Sequence, residues 1–450
     1  MIAVLLLVAL GGLMHAAGTF SSSAATSGTL LAFGYLLLVA YFAGRLLARV
    51  GLPRLTGYLL AGVISGPFVL ELVTTSMTGK LRIVNDVATC ILGLVAGAEL
   101  SFDRVRPIMR TIRAAMVFAV IGSMLVLVGL LFAMRPLLPI FDGVPLLESF
   151  AICAVVAVAL TPQSPAIVLA MLSETRSDGT LSQLVLAMVV VADLVVVIIY
   201  SIVAAIGSAL LGSGVDVGAT ALGVGWELLG SIAFGIAIGM LIGLFLRMVK
   251  TGAPLFALMV CVVVAEIGGR IHLDPMIVML AAGIWLENVS RADASELVHD
   301  FEAAQLPVFL VWFALAGMRL DIYQLWVLII PVTLIVVARA TSLYLGMRVA
   351  SALTQAPPTV AKYAWIGLVP QAGLSLALIV VIQSTFPTFG TFAAVLLLSV
   401  LGVNQVISPV LLRIALVRSG EAGRKRAQDF AEHSRADSSV DTASPPRDQA

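Results

Sequence analysis

The sequence predicts an all-α polytopic membrane protein, with about 13–14 transmembrane helices, an inverted-topology repeat and two broken helices. Three observations predict it. Hydrophobic residues make up 60% of the 450 residues and charged residues only 11%, where a soluble domain carries roughly 25% charged residues. Apolar runs of membrane-crossing length follow one another along most of the chain, separated by polar punctuation. Three short motifs then recur in the same order, seven runs later. A core this apolar needs lipid around it, and the net charge of +1 gives no field that would gather nucleic acid.

A helix needs about 20 apolar residues to cross the hydrocarbon layer. By that measure the passes fall at 1–17, 29–48, 53–73, 84–100, 112–134, 148–172, 181–211, 225–248, 254–270, 273–289, 303–318, 324–352, 360–383 and 389–416. Continuous apolar runs fit a helical bundle rather than a barrel, whose strands would alternate. The first run is short and ends in Met14-His15-Ala16-Ala17-Gly18, as a signal peptide does, yet lacks a basic start. Residues 1–28 are therefore either an extra helix or a signal-like segment. The transmembrane domain is expected over 29–418, with core helices around 84–211 and 303–416. After Val417 the composition turns polar and charged, so 419–450 reads as a disordered tail.

Basic residues in short loops orient a membrane chain. One alternating set of loops holds Arg45, Arg49 and Arg54, then Arg104, Arg106, Arg110 and Arg113, then Arg247 and Lys250. Arg418, Arg424, Lys425 and Arg426 fall on the same side, whereas the other set has only Lys80, Arg82, Arg135, Arg270 and Arg319. The first set, and the C-terminus with it, is expected in the cytoplasm, and the protein in the cell membrane.

The third and fourth passes carry Leu60-Ala61-Gly62-Val63 and Ala96-Gly97-Ala98-Glu99-Leu100. The tenth and eleventh carry Ala281-Ala282-Gly283-Ile284 and Ala316-Gly317-Met318-Arg319-Leu320. The sixth holds Thr161-Pro162-Gln163-Ser164-Pro165, and the thirteenth Val369-Pro370-Gln371-Ala372-Gly373. An odd displacement sends the two copies across the bilayer in opposite senses, a recurring architecture of secondary transporters. Proline inside a helix removes a donor and clashes with the preceding turn. Two corresponding helices should therefore open near the midplane, which lipid tolerates only where the backbone is buried in protein or lines a cavity. Freed carbonyls, with Thr161, Gln163, Ser164, Gln371 and Ser375, would supply oxygen ligands. A kink that merely shapes the bundle is the alternative.

Asp193 lies in the middle of the seventh pass, with no lysine or arginine within a turn or two. A central Asp costs about 2.5–3.5 kcal/mol on insertion scales. The simplest physical account is a carboxylate that holds a proton until a hard cation with oxygen ligands displaces it. One site with two mutually exclusive occupants is sufficient for antiport; a structural Asp hydrogen-bonded across the bundle is the alternative. Arg339, equally central in the twelfth pass, is expected to offset carboxyl charge or the negative ends of the broken helices. Glu99, Glu266, Arg270 and Asp86 near helix ends read as interfacial, and Asn404 and Gln405 as interhelical hydrogen-bonders. Cys90, Cys153 and Cys261 lie scattered in apolar runs and read as small buried hydrophobes; the four histidines have no ligand spacing, so no cofactor is expected. No hydrolase or zinc-protease motif is present, which argues against an enzyme.

These residues resemble the monovalent cation–proton antiporter superfamily. The resemblance begins at Leu52-Pro53-Arg54-Leu55-Thr56-Gly57-Tyr58 through Gly66-Pro67 and continues with Ala96 to Leu100 and Ser164-Pro165-Ala166 to Asp193. It resumes at Phe313 to Gly317, Val369 to Gly373 and Asn404 to Pro409, covering roughly 29–416. It implies two crossed, unwound helices in a mobile core, a dimerisation bundle, elevator-like alternating access and a homodimer. It also implies that Asp193 binds the monovalent cation and the proton, that Thr161 and Pro162 face it, and that Arg339 is the core basic residue. One departure is Ala192, where the family has Asp or Asn before the aspartate. That neighbour helps distinguish electrogenic from electroneutral exchange, so stoichiometry does not follow, though a single carboxylate favours one proton per cation. The expected substrate is sodium or potassium; a proton-coupled carrier of another solute and an uncoupled channel-like or sensory protein are the alternatives.

Overall fold

The computed structural model describes residues 2–20, 28–79, 81–211, 222–223, 225–249, 253–290 and 295–424. Lys80, Lys250, Lys425, Arg426, His433 and the expected tail from 425 onward lie outside the described residues. Among the described residues every regular element is helical. The chain runs through α1 (Ile2–Phe20), α2 (Gly28–Arg49), α3 (Arg54–Ser65), α4 (Arg82–Ala98) and α5 (Phe102–Ala133). It continues as α6 (Leu146–Ala159), α7 (Pro165–Thr175), α8 (Thr180–Leu210) and α9 (Trp226–Met248). Then come α10 (Ala253–Ile271), α11 (Pro275–Asn288), α12 (Ser295–Gly317) and α13 (Ile329–Thr354). A helical stretch over 358–368, called α14, precedes α15 (Gly373–Thr385) and α16 (Gly390–Arg418).

Each of the fourteen expected passes is a helix, with α6 and α7 sharing one and α14 and α15 another. Seven helices are long and apolar enough to cross a membrane by length and composition, and seven shorter apolar helices accompany them. Outward faces are greasy: Ile198, Ile202 and Ile206 form an exposed stripe along α8, and Leu241 and Leu244 another on α9. Such a surface belongs in lipid, not water. The pass expected at 53–73 is helical only to Ser65, because Gly66-Pro67 ends it. Cys90, Cys153 and Cys261 are free and buried.

Lipid supplies no hydrophobic drive between helices, so they associate through close packing at small residues. Here the recurring Ala-Gly motifs find their physical meaning. On α3, a Cβ at Gly62 would strike the Ala314 carbonyl of α12, and one at Gly317 of α12 would strike the Leu59 carbonyl of α3. On α4, a Cβ at Gly97 would strike the Leu280 carbonyl of α11, and one at Gly283 of α11 the Leu94 carbonyl of α4. Since α3 corresponds to α11 and α4 to α12, these two crossings are one crossing made twice. The inverted repeat is thus a repeat of interfaces. On its axis α5 meets α13, where Gly346 lies on the Phe118 carbonyl within a π-helical turn, Met116–Ile121.

Loops on the face at which α16 ends are tied together. Glu174 at the end of α7 accepts hydrogen bonds from the Arg54 and Leu55 amides at the start of α3, at 2.7 and 3.4 Å. Arg413 of α16 donates to the Gly51 carbonyl at 3.0 Å. Asn288 Oδ1 accepts from the Phe102 amide, and its Nδ2 donates to the Leu100 carbonyl. Gly179 has no side chain with which to cap α8; Glu421 does so from the far end of the chain. Its carboxylate accepts from the Leu181 amide, the Ser182 amide and the Ser182 hydroxyl at 2.8, 2.8 and 2.7 Å.

Candidate functional site

Both proline-bearing passes open where the sequence predicts. The first ends its helical hydrogen bonding at Ala159 and resumes at Pro165; the second stops at Leu368 and resumes at Gly373. Proline at 162 and 370 supplies no N–H, and Ser164 restarts α7 as its N-cap, accepting from the Ile167 amide at 3.2 Å. Each break leaves carbonyls without helical partners, and those carbonyls converge on one side chain.

Arg339 is 1% exposed and donates to four of them. Its Nε reaches the Leu160 carbonyl at 3.0 Å, Nη1 the Val369 carbonyl at 2.8 Å, and Nη2 the Leu368 and Pro162 carbonyls at 3.0 and 3.4 Å. It makes no ion pair among the described residues. Its hydrogen bonds go to the C-terminal ends of α6 and α14, which carry partial negative charge, and none goes to a carboxylate among the described residues. Gln371 adds a neutral tie, its Nε2 donating to the Leu160 carbonyl at 2.6 Å while its Oε1 accepts from Asn404 of α16 at 2.6 Å. The two breaks therefore touch, and α13 and α16 bind them together.

Asp193 faces the first break. Its Oδ1 accepts from the Gln163 amide at 3.2 Å, so the carboxylate lies against the start of α7, where the helix dipole favours negative charge. Gln163 folds its Nε2 back onto the Thr161 carbonyl at 2.6 Å, and its buried Oε1 has no hydrogen-bond partner among the described residues. Beside them lies a cavity of about 250 Å³ lined by Asp193, Gln163, Ser164, Gly373 and Gln405. Thr161 and Pro162 are placed differently. The Thr161 hydroxyl donates to the Ala157 carbonyl of its own helix at 2.9 Å, and Pro162 presents its carbonyl to Arg339. Neither lines the cavity, so of the four expected neighbours of Asp193, Gln163 and Ser164 are brought to it. Pro370 opens the second break without reaching the cavity, whereas Gly373 lines it.

Three charged residues belong to this cavity that the sequence did not assign to it: Asp86 of α4, Asp274 just before α11, and Arg319 just after α12. Asp86 is thus not merely an interfacial residue near a helix end. Asp274-Pro275 in sequence signals only a helix start, an N-cap followed by proline at the first position. Topology gave a further clue, since the starts of α4 and α11 and the end of α12 all lie on the face opposite the end of α16. Glu266 and Arg270, by contrast, pair with each other at 2.6 Å on the exposed surface. No group of three or more metal-binding side chains occurs among the described residues.

A family model described as "Sodium/hydrogen exchanger, transmembrane" matches residues 35–413. Two solved structures share the fold, both of the sodium proton antiporter MjNhaP1 from Methanocaldococcus jannaschii. One, at pH 8, superposes with a TM-score of 0.61 at 13% identity over 89% of this chain and 98% of that one. The other, an electron-microscopy map, gives 0.67 at 13% identity over 90% and 98%. No curated protein matches the chain.

Proposed function

The chain belongs to the sodium/hydrogen exchanger family, and on that footing we propose that it exchanges a monovalent cation for protons by alternating occupancy of Asp193. The observation that carries this reading is the pairing of a carboxylate with an opened helix in the wall of one cavity. Asp193 is steered by the Gln163 amide, and Gln163, whose Oε1 has no partner among the described residues, lines the same cavity. A proton neutralises the carboxylate alone. A hard cation needs several oxygens, and Asp193, Gln163 Oε1 and the Ser164 hydroxyl are the groups on hand. Both occupants need the same carboxylate, so they exclude each other. Arg339 keeps a cation away from the freed carbonyls behind the site, because it already fills the electronegative ends of α6 and α14.

In this reading α5–α8 and α13–α16 form the moving body, held as one by Arg339 and Gln371. The frame is α1–α4 and α9–α12, locked at the glycine crossings; α4 and α12, first counted with the core from sequence, belong with the frame by this packing. The cavity runs toward the face opposite the end of α16, while Glu174 and Arg413 close the other face against α3 and Gly51. With the basic loops in the cytoplasm, this is an outward-facing conformation in a cell membrane. The homodimer implied by the family is part of the same proposal.

A carrier of a larger solute is the second reading. The cavity has apolar walls at Leu194, Ile277, Trp312 and Leu374. Its volume of about 250 Å³ falls below the roughly 300–1,000 Å³ usual for organic ligands, which favours a hydrated cation. The test is proton movement in proteoliposomes carrying an internal pH dye, on addition of sodium, potassium or lithium. Cation-driven proton movement in wild type and its loss in Asp193→Asn are expected. Exchange surviving in the variant removes Asp193 from the mechanism; absence of exchange in wild type with every cation overturns the proposal.

A further inference from the structure

Asp274 sits on the frame, across the cavity from the helix that carries Asp193. Its Oδ1 accepts from the Met276 and Ile277 amides at 2.8 and 3.0 Å, and its own amide donates to the Ser231 hydroxyl of α9 at 3.0 Å. The side chain is therefore held at a fixed point by α9 and α11. Capping α11 does not require a carboxylate: Ser, Thr or Asn caps a helix about as well. A carboxylate at the mouth of a membrane cavity is costly unless positive charge is at hand. The described residues lining the cavity include three carboxyl groups, Asp86, Asp193 and Asp274, against one guanidinium, Arg319. Gln163, which lines the same cavity and is 1% exposed, leaves its Oε1 without a hydrogen-bond partner among the described residues. Asp193 gives up its charge to a proton, yet Asp86 and Asp274 still outnumber Arg319; that excess of carboxylate, and an unpaired oxygen on a residue of the cavity wall, both suit a cation.

We propose that Asp274 is a positioning residue for the exchanged cation, a stationary carboxylate that draws the ion into the cavity and holds it opposite Asp193 before the site loads. This rests on the exchange reading above. Because Asp274 belongs to the frame, it acts only while the cavity is open to its own face. It contributes charge and not a moving site, so it governs how much cation is needed rather than how fast the loaded body crosses.

The experiment compares wild type with Asp274→Asn, Asp274→Ser and Asp274→Glu. Asn and Ser keep a capping oxygen and lose the charge; Glu keeps the charge. In proteoliposomes, the sodium or potassium concentration for half-maximal exchange from the cavity face should rise about fivefold in Asn and Ser. That is the order of effect of one unit charge acting across a cavity that water reaches. The maximal rate should stay close to wild type, and Glu should restore the low value. Added choline chloride should raise the wild-type value toward that of Asn and leave Asn nearly unmoved. A second readout needs no transport: the alkali chloride concentration giving half of the cation-induced thermal stabilisation in detergent should shift by the same factor. An unchanged half-saturation in Asn, a change shared equally by Asn and Glu, or a change insensitive to choline chloride overturns the proposal. A wild type that is stabilised by sodium but moves no protons sinks the exchange reading alone, and the stabilisation series still decides Asp274. A wild type stabilised by no alkali cation leaves Asp274 nothing to position, and the proposal falls.

Discussion

Glu421 offers a test of the fold that needs no transport assay. It is 4% exposed, and its carboxylate takes three hydrogen bonds from the first turn of α8. Nothing else caps that turn, because Gly179 has no side chain and a Cβ there would collide with the Glu421 carboxyl. Replacing Glu421 with alanine removes an N-cap, worth about 0.5–2 kcal/mol at an ordinary helix start. Here the two capped amides are buried, so the same loss is set instead by stranding them, at about 1–3 kcal/mol each where water cannot reach them. Partial access by water lowers the sum, so a loss of about 3–4 kcal/mol is expected. An unfolding entropy of roughly 2 cal/mol/K per residue gives a chain of 450 residues about 1 °C for each kcal/mol, which puts the fall in melting temperature near three to four degrees. Glu421→Gln keeps one acceptor and should fall about half as far. A chain ending at Ser419 should behave like the alanine variant, and one ending at Arg424 like wild type. The assay is thermal melting in detergent, followed by fluorescence-detected size exclusion. A melting temperature in Glu421→Ala within about one degree of wild type would refute the capping argument.

Other consequences are equally direct. Arg339→Met should leave the Pro162, Leu368 and Val369 carbonyls without a donor, the Leu160 carbonyl keeping that of Gln371, and cost about 3–5 kcal/mol by the same melt, with Arg339→Lys recovering part, since an ammonium cannot span both breaks. Gly97→Val and Gly283→Val should each prevent α4 and α11 from meeting and yield little folded protein by size exclusion. Gly129→Val, on an open face with nothing within 4 Å, should express as wild type. Gln371→Leu should leave the Asn404 amide and the Leu160 carbonyl short of a partner, costing about 1–3 kcal/mol. A variant that melts with wild type would show that the breaks are not joined through that side chain.

The passes were legible because lipid imposes a length and a polarity on each one, and the breaks were legible because proline cannot complete a helical ladder. Asp193 and Arg339 stood out for the same reason: a charge in mid-run is costly and so conspicuous. What the sequence hid was which helix ends meet. Asp86, Asp274 and Arg319 lie at boundaries, where charge is cheap and unremarkable, and only the crossing of α4 with α11 brings them to one chamber. Thr161 shows the converse failure. Its place beside Pro162 suggested an ion ligand, yet a threonine in the last turn of a helix can satisfy its hydroxyl on the carbonyl four residues back, and Thr161 does. Glu421 lay outside any apolar run and gave no signal at all, since its partners are more than two hundred residues away in sequence.

The glycine crossings carry a consequence for temperature. Cores that form by expelling water lose part of their driving force on cooling, because apolar hydration is entropic near room temperature and has a large heat capacity. Where α3 meets α12 and α4 meets α11, backbone lies on backbone in a lipid solvent, and the attraction is dispersion and Cα–H···O contact. Such contacts are enthalpic and nearly indifferent to water structure. Cold should therefore tighten these crossings rather than weaken them, and their rupture should show little of the heat-capacity step that marks the unfolding of a soluble domain.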